Sequence, residues 1–349
     1  ESGGEKYILN IMTVPLIADD IRDHIKRLEQ YAIRRNIETA LETSLKAIRV
    51  DRAIDTSELA ESCSKAIMDA SCGIFGADTF SNPTDCVIST IERIVCGDLH
   101  GVPTGFLGLD AQIGGIQKGD LVIIAGGSSS GKSILASNIA VNMMDETKQA
   151  VLFYSMEMTK QQVTQRILSA QSSVEINKLR MGTYKPDEWA RFQHIADLWK
   201  TRPFYIDAKG GQTVESVASK TRRKFRELGG LSCIVVDYIQ LMRAEKSVGR
   251  TQDIDHITRS LKTLALELDV PVIALSQYKR TGTAKPTVSD LRESGSIEQD
   301  ANIIIMINHE DAYSELIVGK QREGERNISS RIVLNGAMGR FENPTSTWG

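Results

Sequence analysis

Leu121-Val122-Ile123-Ile124-Ala125-Gly126-Gly127-Ser128-Ser129-Ser130-Gly131-Lys132-Ser133-Ile134-Leu135 is the stretch on which the fold turns. Four large apolar residues in a row read as a buried strand, and the residues from Lys132 onward carry helical periodicity. Between them, Gly126 to Ser133 satisfy G-x-x-x-x-G-K-[ST], in the strand-to-helix context that pattern requires. Glycines let the backbone of Gly126, Gly127, Ser128, Ser129, Ser130 and Gly131 turn its N–H groups onto a phosphate. The helix behind them adds about half a positive charge at its N-terminus. Lys132 is expected to reach the β- and γ-phosphates of a nucleotide, and the Ser133 hydroxyl to ligate Mg²⁺.

Outward from this loop, short apolar runs alternate with helical patterns. The runs are 151–154, 204–206, 233–236, 272–275 and 302–306; the helix candidates are 132–145, 159–172, 187–200, 213–228 and 252–268. Continuous apolar strands separated by helices predict an α/β fold, a mostly parallel sheet with helices on both faces, binding ligand at the carboxyl ends of its strands. The runs 315–318 and 331–334 have no helix between them and read as a closing hairpin.

That edge supplies further chemistry. Asp237 ends the run Cys233-Ile234-Val235-Val236 and is placed to hold Mg²⁺. Glu157 follows the second run, where it could polarise an attacking water; the lesser alternative on pattern alone is that it caps or opens the helix from 159. Gln277 ends the run from Pro271 and could sense a γ-phosphate or simply cap a turn.

Composition narrows the rest. Hydrophobic residues are 41% and charged residues 25%, ordinary for a globular chain, and no apolar stretch approaches the ~20 residues of a membrane span. A net charge of −3 excludes global attraction to nucleic acid, so any such site must be a local basic surface. The five cysteines form no C-x-x-C pair, which favours reduced thiols over disulfides or zinc. The N-terminus shows no signal peptide and no initiating Met, so the chain is expected to be cytoplasmic and to begin partway into a longer protein. Apolar residues at steps of three to five over 17–50 predict one or two amphipathic helices, 56–70 another, and 71–99 a linker with a short helix at 85–95.

With these motifs in order, the chain from Val102 to Phe341 resembles the DnaB family of replicative helicases, on the RecA-like ATPase fold. The resemblance rests on Pro103-Thr104-Gly105-Phe106, the cradle, Tyr154-Ser155-Met156-Glu157-Met158, 236–242, 271–277, 290–300 and Lys320-Gln321-Arg322. It implies a homo-hexameric ring that moves 5′ to 3′ on single-stranded DNA using ATP or another NTP with Mg²⁺, together with a helicase loader and primase and no membrane. It divides the chain into the end of a helical N-terminal domain (1–50), a linker with its helix (51–99) and the ATPase domain (100–349). By position it makes Glu157 the catalytic base, Asp237 the metal acid and Gln277 a γ-phosphate-coupled glutamine, and it puts Arg166 near the nucleotide. Lys320 and Arg322 become a pair given in trans to the next subunit, and Arg292, Glu293 and Gly295 a DNA-gripping loop.

Several readings stay open beside it. Segments 278–286 and 243–250 could be further pore loops or merely solvated. The basic helix carrying Lys220, Arg222, Arg223, Lys224 and Arg226 reads as a solvated face. A RecA/RadA-like DNA-dependent recombinase ATPase is the main alternative function, and a non-hydrolysing ring scaffold a second.

Overall fold

The computed structural model describes residues 31, 34–46, 48, 49, 62, 63, 66, 83–95, 100–243, 249–278, 285–291, 295–310, 313–322 and 324–344. The chain divides into two compact units, Glu1–Val95 and Cys96–Gly349. In the first, 34–46 are helical, inside the expected 17–50 helix. Residues 62, 63 and 66 are helical within the expected 56–70 segment, whose remainder lies outside the described residues. The short helix expected at 85–95, α1 (Pro83–Val95), starts two residues earlier than the pattern suggests, with proline tolerated in its first turn. Its apolar side chains Val87, Ile88, Ile91, Ile94 and Val95 are exposed.

The second unit follows the order α2 (Leu107–Ile113), β1 (Leu121–Gly126), α3 (Lys132–Thr147), β2 (Ala150–Ser155), α4 (Lys160–Ser172), α5 (Ile176–Met181), α6 (Pro186–Trp199) and β3 (Phe204–Ala208). It continues with α7 (Val214–Leu228), β4 (Leu231–Asp237), α8 (Arg250–Leu268), β5 (Val272–Gln277), α9 (Gly295–Asp300), β6 (Ile303–His309), β7 (Ser314–Gln321), β8 (Ile328–Asn335) and β9 (Arg340–Glu342). The strands form one sheet in the order β3-β2-β4-β5-β1-β6-β7-β8-β9. From β3 to β6 all pairings are parallel. From β6 to β9 they are antiparallel, so the expected hairpin of β7 and β8 is one part of a longer antiparallel edge.

Period-two alternation in β1 shows why the strands are apolar throughout. Leu121, Ile123 and Ala125 join a core with α7 and α8 on one face. Val122 and Ile124 join another with α3 and α4 on the other face. Ile124 is fully buried, and Ile124→Ala is expected to destabilise this unit by about 2–5 kcal/mol, read as a lower denaturation midpoint by circular dichroism.

The pattern did not announce α2, α5, α9 or β9. They are three to seven residues long, too short for a readable period, and their partners are distant. The Phe341 N–H of β9 donates to Asn138 Oδ1, the Leu107 N–H of α2 to Asn343 Oδ1 and the Ile176 N–H of α5 to the Ala337 carbonyl. Helix α2 is tied to the Thr104-Gly105 turn because the Asp110 carboxylate accepts the Thr104 N–H and Oγ–H, both at 2.7 Å, and the Gly105 N–H at 3.0 Å.

Cys63, Cys86 and Cys233 are free thiols; Cys72 and Cys96 lie outside the described residues. Burial pushes the Cys233 thiol up to about 12, which keeps it an unreactive core residue. No helix among the described residues is long and apolar enough to cross a membrane.

Candidate nucleotide site

Because β1, β2, β4 and β5 run parallel, their carboxyl ends share one edge of the sheet. The loops leaving these four strands therefore meet in one place. A cavity of about 320 Å³ lies there, lined by the cradle residues 128–133 together with Glu157, Arg166, Asp237 and Gln277. The structure thus brings together residues separated by more than a hundred positions in the chain.

The cradle leads directly into α3, whose N-cap is Gly131 at φ +84°. A Cβ at Gly131 would also come within 3.1 Å of the Phe341 ring, and one at Gly126 within 2.2 Å of Ser130 Oγ. Lys132 folds back over the loop, its ammonium donating to the carbonyls of Gly126 at 3.0 Å and Gly127 at 2.7 Å. Burial lowers its pKa, with Asp237 and Glu157 pulling the other way. A positive group held against a glycine-rich loop at a helix N-terminus is what a polyphosphate would pair with.

Asp237 is 1% exposed, and neither of its carboxylate oxygens has a hydrogen-bond partner of proper geometry. Burial raises its pKa; the nearby Ser133 hydroxyl and the Lys132 and Arg166 cations oppose this, while Glu157 adds to it. A buried carboxylate left without partners is costly unless a cation compensates it. Two orphaned carboxylate oxygens beside a hydroxyl suit a hard divalent ion such as Mg²⁺, so the residues present fit the expected metal. No cluster of three or more His, Cys, Asp or Glu side chains suitable for a metal occurs among the described residues.

Glu157 is an exposed loop residue facing the cavity, not part of a helix start. Ser155 closes the turn, accepting the Met158 N–H at 3.0 Å and donating to the Met158 carbonyl at 2.9 Å. The cap of α4 is Thr159, in a reciprocal capping box with Gln162. The helix-capping alternative for Glu157 is therefore excluded. Arg166, on α4, is partly buried at the cavity wall; burial lowers its pKa, and Asp237 counteracts it.

Lys320 and Arg322 are not in this cavity. Strand β7 runs antiparallel to β6, so its end returns to the amino edge of the sheet, where Lys320 pairs with Ile304 and Ile304 with Ile123. The Arg322 N–H donates to the Asn302 carbonyl, and the Asn302 N–H to that of Leu121. Five strand residues, about 16 Å at 3.3 Å each, separate that level from Gly126. Both side chains turn to the C-terminus of α9, where the helix dipole is negative. The Lys320 ammonium donates to the carbonyls of Glu298, Gln299 and Ala301, and Arg322 Nη2 to that of Gln299 at 3.1 Å.

Arg292 and Glu293 lie outside the described residues; Gly295 opens α9. Of the two further candidate pore segments, 244–248 and 279–284 are likewise outside them. The flanks of the second are structural: Tyr278 is buried with its hydroxyl donating to the Ile307 carbonyl, and Lys285 pairs with Glu315 at 2.7 Å. The basic helix α7 is ion-paired, Arg222 bidentately with Glu267, Lys220 with Asp207 and Lys224 with Glu227. Such half-exposed pairs contribute under about 1 kcal/mol. Arg222→Gln with Lys224→Gln is expected to leave single-stranded DNA affinity and its salt slope unchanged within about twofold, measured by fluorescence anisotropy.

Two site residues escaped the sequence reading. The His309 ring bonds the Ser130 carbonyl of the cradle at 3.0 Å and Ser314 Oγ at 2.8 Å. The Gln240 side chain bonds the Gln277 backbone. Both are polar residues at or just past a strand's carboxyl end, the one signal that could have found them.

Comparison with known proteins adds a lineage to this geometry. The family model described as "DnaB-like helicase C terminal domain" matches residues 101–343. A Haemophilus influenzae protein named replicative DNA helicase DnaB is 41% identical over 285 residues, covering 75% of this chain and 61% of that relative. A Geobacillus stearothermophilus protein of the same name is 34% identical over 345 residues, covering 93% of this chain and 75% of the relative. The chain therefore spans 61% to 75% of the length of these two relatives. Among solved structures, an ATPase domain matches with a TM-score of 0.72 at 31% identity, over 76% of this chain and all of that one. A structure titled as a DnaB-like replicative helicase and its interactions with primase matches with a TM-score of 0.69 at 28% identity, over 98% of this chain and 84% of that one.

Proposed function

This chain belongs to the DnaB-like helicases, and on that premise we propose that it is the ATP-driven motor of a replicative DNA helicase. In this reading it works as a homo-hexameric ring moving 5′ to 3′ on single-stranded DNA and separating the duplex at a replication fork. The observation that carries it is the divided site. The cavity with Lys132, Glu157 and Asp237 lies at the carboxyl edge of the sheet, and the cation pair is carried towards the amino edge, Lys320 level with Ile123 and Arg322 with Leu121, about 10 and 16 Å from Gly126 along β1. One chain's pair is set to act on the nucleotide of a neighbour, and a head-to-tail interface of this kind forms a ring where its rotation closes and a helical filament where it does not.

In each composite site the cradle amides and Lys132 bind and orient the triphosphate. Ser133 and Asp237 would hold Mg²⁺, which when bound offsets phosphate charge. The Glu157 carboxylate takes a proton from a water whose oxygen attacks the γ-phosphorus; the bond to the β,γ-bridging oxygen breaks, releasing ADP and phosphate. Gln277 contacts the γ-phosphate, and Arg166 supports the nucleotide from α4. The partner subunit's cation pair stabilises the charge spread over the transferred group.

Arg292, Glu293 and Gly295 serve as the grip on DNA phosphates, with no sequence readout. Residues 1–50 end a helical N-terminal domain and 51–99 form the linker. A relative's structure is titled by its interactions with primase; a primase and a helicase loader are the partners proposed here, in the cytoplasm. The test is strand displacement on forked DNA with ATP and Mg²⁺, paired with ATP hydrolysis with and without single-stranded DNA. Unwinding with DNA-stimulated turnover supports the motor. Turnover without unwinding, on helical filaments seen by electron microscopy, would replace it with a recombinase-type ATPase.

A further inference from the structure

Strand β4 stops pairing with β5 early. Their ladder ends at Val236↔Ala274, while β5 continues beside β1 to Gln277. In a strand, the backbone polar groups of successive residues face opposite neighbours. The Val272 N–H donates to Asp120 and the Tyr278 N–H to Gly126, both towards β1. The N–H and C=O of Gln277 therefore face the other side, where β4 would continue had the chain not turned away after Asp237.

The Gln240 side chain occupies that gap. Its Oε1 accepts the Gln277 N–H at 3.2 Å, and its Nε2 donates to the Gln277 carbonyl at 3.1 Å and to Ser276 Oγ at 2.9 Å. A primary amide carries a carbonyl and an N–H in the same arrangement as a peptide unit, so it can complete a strand ladder. Gln240 is itself fixed, in a 3₁₀ turn (Ile239–Leu241) anchored by the fully buried Ile239. That turn begins two residues after Asp237.

We propose that Gln240 is a positioning residue for ATP hydrolysis: its amide stands in for the missing peptide of β4 and holds Gln277 in place at the cavity. The inference rests on the reading of Gln277 as the γ-phosphate-facing glutamine. It makes the Asp237 strand end and Gln277 one mechanical unit, so that the metal acid and the γ-phosphate contact keep a common register. Gln277 is solvent-exposed at the strand end, so water can replace the lost bonds and the fold survives their removal. What is lost is orientation.

The test compares Gln240→Ala, Gln240→Glu and Gln277→Ala in the full chain with DNA-stimulated ATPase kinetics. The glutamate keeps the acceptor for the Gln277 N–H but loses the donor to its carbonyl. Removing one donor aimed at transition-state charge costs 10²–10³ in rate, and misaiming it costs a fraction of that, about tenfold. Both Gln240 variants should therefore lose about tenfold in kcat with KM for ATP and melting temperature little changed. Gln240→Ala added to Gln277→Ala should cost nothing further. A merely structural role predicts instead a lower melting temperature and an additive loss in the double variant. Full-speed Gln240 variants beside a slow Gln277→Ala overturn this inference alone. A full-speed Gln277→Ala overturns the reading of Gln277 and this inference with it.

Discussion

Arg322→Ala is expected to lower DNA-stimulated ATP turnover by about 10³–10⁵-fold, the range for a cation supplied in trans to a transferring phosphoryl group. Nucleotide binding should change far less, because in the proposed assembly the cradle and Lys132 belong to the other subunit. The guanidinium suits the role: it has five donors in a rigid fork, and among the described residues one of them is seen bonded, to the Gln299 carbonyl. The sharper form of the experiment mixes Arg322→Ala with Lys132→Ala, each expected to be inactive alone. A site regains activity wherever a cradle from the first faces a cation pair from the second. Random exchange makes that about a quarter of the head-to-tail interfaces. Recovery of activity on mixing places the site between chains. If exchange occurs and activity stays at zero, or if Arg322→Ala alone keeps the wild-type rate, the divided site is wrong.

Glu157→Gln should reduce kcat by about 10²–10⁴-fold, the usual worth of a positioned general base, with ATP binding preserved. The amide matches the carboxylate in shape, so the turn closed by Ser155 and the Thr159 cap should remain intact. Among the described residues at the cavity the other carboxylate is Asp237, which is buried and suited to a cation. No second base stands ready to replace Glu157. Pre-steady-state phosphate release separates the chemical step from product release, and fluorescent-nucleotide binding verifies the intact cradle. Wild-type turnover in this variant would remove Glu157 from the chemistry and revive the scaffold reading.

How legible the molecule was depended on the range of the interaction concerned. The strands, the helices flanking them and the cradle could be read because each rests on contacts within a few residues: a period of two, a period of 3.6, a glycine turn before a helix. Asp237 and Gln277 followed from being polar ends of apolar runs. Glu157 was ambiguous, since a glutamate shortly before a helix can cap it; the Ser155 and Thr159 hydrogen bonds removed the ambiguity. Strand β9 and helices α2 and α9 were hidden because distant partners, not their own periodicity, hold them. Gln240 lay in plain view within the motif at 236–242, yet its partner is 37 residues away.

Local patterning in the chain was thus sufficient to determine the class of fold, the phosphate cradle and the set of polar strand ends that could serve a nucleotide. It could do so because parallel strands of one sheet send their carboxyl ends to a common edge. The edge taken by Lys320 and Arg322 was decided only in three dimensions. Strand β7 reverses against β6 and carries them to the amino side, and the pairing of two strands is a non-local matter that neither strand's own pattern encodes. The same reversal carries the pair away from its own chain's cavity, which is why the proposed motor needs a neighbour.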